Sequence, residues 1–166
     1  MEALVYSLLT GLILSTVLSA VVLATLFINP EIWIDDYPPD VRARFGPIGT
    51  RARRQRRWAA LLFFLVPLVM LAGSLPGLES ATGASPGFWQ LFFHVFISLE
   101  VFNVIDLVIL DWLVFIRIQP PRIILPGTHG MAGYQDFRFH VRGFMFGQII
   151  ILVFSLLFAG FATRFV

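Results

Sequence analysis

Three carboxylates and an amide interrupt the later part of the apolar run between Phe88 and Trp112: Glu100, Asn103, Asp106 and Asp111. At 3.6 residues per turn, Glu100, Asn103 and Asp111 share one face of a helix, with Asp106 at its edge. Three chemistries open to such a face are hydrogen bonding to neighbouring helices, acid–base work on a bound substrate, and relay of protons or cations. An ionised carboxylate at the centre of a bilayer costs roughly 2.5–3.5 kcal/mol on insertion scales, so the face is expected to turn inward. No arginine lies inside the apolar runs to pair with it. The available partners follow the run: Arg117, Arg122, Arg138, Arg142, His129 and His140. Glu100, Asp106, Asp111, His129 and His140 are therefore the candidates for catalysis. Asn103, Arg117, Arg122, Tyr134 and Arg138 are the candidates for ligand binding.

Other chemistry finds less support. Asp106, Asp111, His129 and His140 are residue types that bind zinc or iron, but no metal-ligand spacing joins them within one helix, and no metal is expected. Asp136 and His140, four apart, read as a local pair on a helix beginning near Tyr134. Ser98 lacks the strained glycine-flanked elbow of a serine nucleophile. His94, among aromatic residues and on a different face from Glu100, reads as structural or interfacial. The chain has no cysteine and no lysine, which excludes disulfides, thiolate chemistry and Schiff bases. No cofactor is expected.

The elements that must position these residues are written in the composition. Hydrophobic residues make up 58% of the 166 and charged residues 13%, too few charges to clothe a soluble domain of this size. Mean hydropathy is +0.84. A bilayer core takes roughly 20 apolar residues in a helix. Runs at 3–28, 58–75, 88–112 and 143–163 meet that need, so the expected fold is all-α, a single four-helix membrane bundle with long loops between helices 1–2 and 3–4. The first run reads as an anchor rather than a cleaved leader, because Glu2 is its only early charge and its apolar stretch is long. Pro67 interrupts the second run, which a membrane helix tolerates.

Arginine fixes an expected orientation. Eleven of the twelve lie in or beside the two long connections, and only Arg164 falls on the other side. Positive charge stays with the cytoplasm, so both loops are expected inside the cytoplasmic membrane and both termini outside. The first loop is acidic, then basic: Glu31, Asp35, Asp36 and Asp40 precede Arg42, Arg44 and the run Arg51 to Arg57. Trp33 and Tyr37 read as head-group aromatics. Thr50 reads as the cap of a helix through the arginines into the second run. Beside a membrane span, that cluster is expected to hold anionic head groups and not nucleic acid. Pro76 to Gly87 reads as a plain turn. The second loop, with Ile123-Ile124-Leu125 and a glycine-rich stretch to Tyr134, is expected at the membrane interface or packed beneath the bundle.

Small residues recur every four positions at Ser7, Gly11, Ser15 and Ser19, and again at Gly143, Gly147, Ser155 and Ala159. The two stripes are expected to admit close helix packing, against each other or against a second copy of the chain or a larger membrane complex. Function stands between a non-catalytic membrane component that binds a ligand or lipid, a small enzyme acting on an amphiphile at the cytoplasmic face, and a dimeric proton- or cation-coupled transporter.

Overall fold

The computed structural model describes residues 1–165, and among these every regular element is helical. Helix α1 spans Glu2–Ile28, α2 Pro39–Phe45, α3 Thr50–Thr82, α4 Phe88–Ile105 and α5 Phe137–Ala162. Helices α1, α3 and α5 are each long and apolar enough to cross a membrane. Most of their apolar surface is left uncovered by the fold, as at Leu65, Val69, Ile149 and Leu157. That is the signature of a membrane protein, because water penalises such a surface and lipid does not.

Helix α4 passes directly into a 13-residue π-helix, Asp106–Ile118. It ends where the Gln119 amide donates to the Val114 carbonyl at 2.9 Å. Gln119 itself takes a left-handed φ of 45°, and Pro120-Pro121 prevents any continuation.

The helices are arranged around α4 and α1. Helix α3 packs on α1, α1 on α4, and α4 on α5, while α3 and α5 share no extended contact. The two small-residue stripes do not meet, as the sequence had allowed. Gly11 instead seats α1 against Val101 and Ser98 of α4, and Gly147 seats α5 against Asn103 of α4. The hydroxyls of Ser7, Ser15, Thr16 and Thr25 inside α1 donate to carbonyls one turn back, as Ser15 does to Gly11 at 2.6 Å, and so stay satisfied without water. Near one end, His94 bonds Ser7 of α1 at 2.9 Å and Ser74 of α3 at 2.8 Å, and it stacks on Tyr6. This polar clasp joins three helices in an apolar setting, a structural role for His94.

Three expected boundaries are corrected. Helix α3 does not stop near residue 75; it runs through Pro76 and the supposed turn to Thr82, where Gly83 at φ 73° ends it. Pro76 lacks only one donor, and the Ser80 hydroxyl bonds its carbonyl at 3.0 Å, so the helix survives it. At the other end of α3, Gly49 rather than Thr50 occupies the cap position. Asp136 does not pair with His140; it caps α5 by accepting from the Phe139 amide at 3.1 Å.

The two long connections fold together as a cap. Its core is Leu26, Ile34, Tyr37, Val41, Phe115, Ile123, Leu125 and Tyr134. Tyr37 is fully buried and donates to the Ile123 carbonyl at 2.6 Å, so it is a core residue and not a head-group aromatic. Burial pushes the Tyr37 phenol well above its ordinary range, which keeps it a donor. The acids of the first loop tie the cap down. Glu31 accepts from the Gly49 amide, Asp40 accepts from the Gly133 amide, and Asp35 pairs with both Arg42 and Arg56.

Candidate functional site

Beneath the cap, between α1, α3, α4 and α5, lies a cavity of about 450 Å³. That is within the range of roughly 300–1,000 Å³ for small-molecule sites. Its body is apolar, lined by such residues as Leu18, Phe63, Phe102, Leu110 and Phe154. Its polar residues gather toward the cap: Asp36, Asp106, Asp111 and His140, with Asn103 one helical turn before Asp106.

The π-helix brings two of the carboxylates together. On an α-helix, residues five apart point about 140° away from one another. A π-helix bonds residue i to i+5, so Asp106 and Asp111 fall on the same side, and both line the cavity. The face expected from the 3.6 period, with Glu100 beside Asp111, is replaced by this one. Glu100 stands outside the cavity lining, partly buried, accepting from Gln148 of α5 at 2.7 Å. Asn103 donates weakly to the Phe144 carbonyl at 3.4 Å and faces the cavity beside Gly147.

His140 is contributed by the first turn of α5. Its Nδ1 lies 3.0 Å from a carboxylate oxygen of Asp111, while its Nε2 is buried with no partner. A carboxylate that bonds one ring nitrogen orients the imidazole and leaves the other for a ligand. Asp36 comes from the first loop, carried over the cavity by the short helix Pro30–Asp36 and by the burial of its neighbour Tyr37. Asp36 lies deep in the fold yet keeps open surface, because it faces the cavity space. Burial, reinforced by Asp111 and Asp35 and opposed by His140 and Arg56, raises its pKa from 3.8 to about 6.

The remaining candidates lie elsewhere. Arg117, Arg122, Arg138 and His129 are exposed on the cap surface. Tyr134 is buried in the cap core, where its hydroxyl bonds the Leu125 amide at 3.0 Å and Thr128 at 2.8 Å. Among the described residues, no three histidine, aspartate or glutamate side chains converge closely enough to hold a metal ion. Asp36 escaped the reading of the sequence; its signal was a carboxylate pair set between Trp33 and Tyr37, two aromatics too large to leave in water.

The raised pKa of Asp36 gives a pH dependence with a defined sign. An acid whose folded pKa exceeds its unfolded value favours the fold when protonated, and that contribution fades as pH rises from about 4 to about 6. Asp36→Asn removes the ionised form. The variant is expected to melt above the wild type at about pH 8, with the gap closing below about pH 4. Melting curves in detergent across that range check it; a variant no more stable than wild type at the alkaline end contradicts it.

Comparison with family models, with characterised proteins and with solved structures finds no match to this chain.

Proposed function

We propose that this chain crosses the cytoplasmic membrane four times and acts as a non-catalytic component that binds an amphiphile in the cavity between its helices. The observation that carries the reading is the cavity itself: a polar, acidic head beneath the cap joined to an apolar body among the helices. That is the shape and polarity of an amphiphile. Helix α4 and its π-helical extension, 18 and 13 residues, supply the fourth crossing. Orientation rests on arginine, with both loops cytoplasmic and both termini outside. Arg51, Arg53, Arg54 and Arg57 are exposed along one end of α3 and are suited to anionic head groups. A second copy of the chain or a larger complex remains the natural partner for its uncovered apolar faces.

A second reading, an enzyme acting on the same amphiphile, is favoured by one observation. The Asp111–His140 pair is the arrangement of an oriented general base. Among the described residues no serine, threonine or cysteine lines the cavity beside it, and the Ser98 hydroxyl is committed to the Ser7 carbonyl at 3.1 Å.

Purification in mild detergent followed by mass spectrometry of what stays bound tests the proposal. One amphiphile retained intact supports a binding component. An amphiphile recovered chemically altered after incubation favours the enzyme, and an empty protein from native membranes contradicts both. For topology, reporter fusions after Arg54 and Gly130 are expected to read as cytoplasmic and one after Glu79 as external. The reverse pattern contradicts the orientation.

A further inference from the structure

The head of the cavity is charged on one side only. Asp35 is neutralised by Arg42 and Arg56, and Asp111 shares a hydrogen bond with His140 Nδ1. Among the described residues, neither Asp36 nor Asp106 has an ion-pair partner, although both line the cavity. Arg56, which acts on Asp36 electrostatically, is committed to Asp35, and Arg117, Arg122, Arg138 and Arg142 are exposed. Beside these acids, His140, with 3% of its side chain exposed, holds a buried Nε2 without a partner on the cavity wall. A polar atom so placed is a group awaiting a hydrogen-bond partner.

The other end of the cavity says what else the occupant carries and where it comes from. Phe64 and Pro67 of α3 and Phe146 and Ile150 of α5 all belong to the lining. Phe64, Phe146 and Ile150 are 65%, 71% and 59% exposed, so the same side chains border the cavity and the outer apolar surface. Since α3 and α5 share no extended contact, the cavity opens sideways between them, toward the region that lipid occupies.

Resting on the amphiphile-binding reading above, we infer that the occupant bears a cationic head group, a protonated amine. Its charge sits against Asp36 and Asp106, and its tail lies among the aromatic residues after passing between α3 and α5. An anionic head group finds acidic groups and no arginine in the lining, and a bare metal ion meets no convergent ligand set. An ammonium satisfies both acids, and the apolar body accepts its chain.

The test uses one tail with three heads: a long-chain amine, the matching alcohol and the matching carboxylate, each brominated on the chain. Trp33 lines the cavity, so a brominated tail inside it quenches Trp33 fluorescence. The full chain, with Trp58, Trp89 and Trp112 replaced by phenylalanine, is titrated in nanodiscs of zwitterionic lipid against empty nanodiscs. The amine is expected to bind at least about tenfold more tightly than the alcohol or the carboxylate. Asp106→Asn is expected to erase most of that preference. Quenching that is equal for all three heads, or strongest for the carboxylate, overturns the cationic assignment and leaves the cavity reading standing. Absence of saturable quenching by any of them, in a variant that melts like the wild type, overturns the cavity reading as well.

Discussion

Tyr37→Ala is expected to open the cap and dismantle the head of the cavity while leaving the long helices formed. Tyr37 is fully buried, and its ring meets Phe115 edge-on at 4.8 Å and Tyr134 at 6.1 Å. Truncating a buried aromatic costs roughly 3–5 kcal/mol, and this one sits at the centre of a core of only eight buried residues. The loss also strands the Ile123 carbonyl, whose hydrogen bond spans the two connections. Tyr37→Phe isolates that second effect and is expected to cost about 1–3 kcal/mol. Because Asp36 is the adjacent residue, the alanine variant displaces a cavity carboxylate along with the cap. Limited proteolysis reads the result: rapid cleavage within 30–49 and 119–136, with α1, α3 and α5 resistant. Protection equal to wild type contradicts the account of the cap.

Gly11 gives the second large effect, where α1 lies directly against the backbone of α4. A Cβ there meets Val101 Cβ at 2.8 Å and the Ser98 carbonyl oxygen at 2.9 Å. Backbone on α4 cannot swing aside as a side chain can, so even Gly11→Ala forces α1 and α4 apart. Overpacking of this kind typically costs 1–3 kcal/mol, and Gly11→Leu is expected to exceed it and prevent assembly. Gly147 offers the contrast. Its Cβ meets the Asn103 amide oxygen at 2.7 Å, the far end of a side chain that has room to turn. Gly147→Ala is therefore expected to lower the melting temperature less than Gly11→Ala. Melting of the two alanine variants in one detergent decides it, and an equal or reversed order contradicts the packing described here.

Much of this was legible in the residues, and what escaped has physical reasons. Long uncharged runs must be helical in lipid, so α1, α3 and α5 were readable, as was a second loop packed beneath the helices, realised in the burial of Ile123 and Leu125. Pro76 and the small residues after it follow the rules of turns in water, where a broken helix is solvated at no great cost. At the end of a helix already eighteen residues deep in its apolar run, continuing is cheaper than exposing carbonyls, and α3 runs on to Thr82. The pairing of Asp106 with Asp111 on one side was hidden because apolar periodicity carries no mark of a π-helix; only their spacing of five pointed to it. His140 and Asp36 reach the cavity through tertiary folding, from the start of α5 and from the first loop. No local pattern joins residues 36, 106, 111 and 140.

The central claim is that an amphiphile occupies the cavity beneath the cap, and filling the cavity tests it most directly. Gly143 lines the cavity, and a Cβ added there meets nothing within 4 Å, so Gly143→Trp adds a large ring at the cavity wall with no clash at the Cβ. Native mass spectrometry of wild type and variant, released from the same membranes, compares what each retains. The account predicts that the wild type carries one bound amphiphile and that Gly143→Trp, equally stable, carries none. Equal retention of the same amphiphile by both proteins would contradict it.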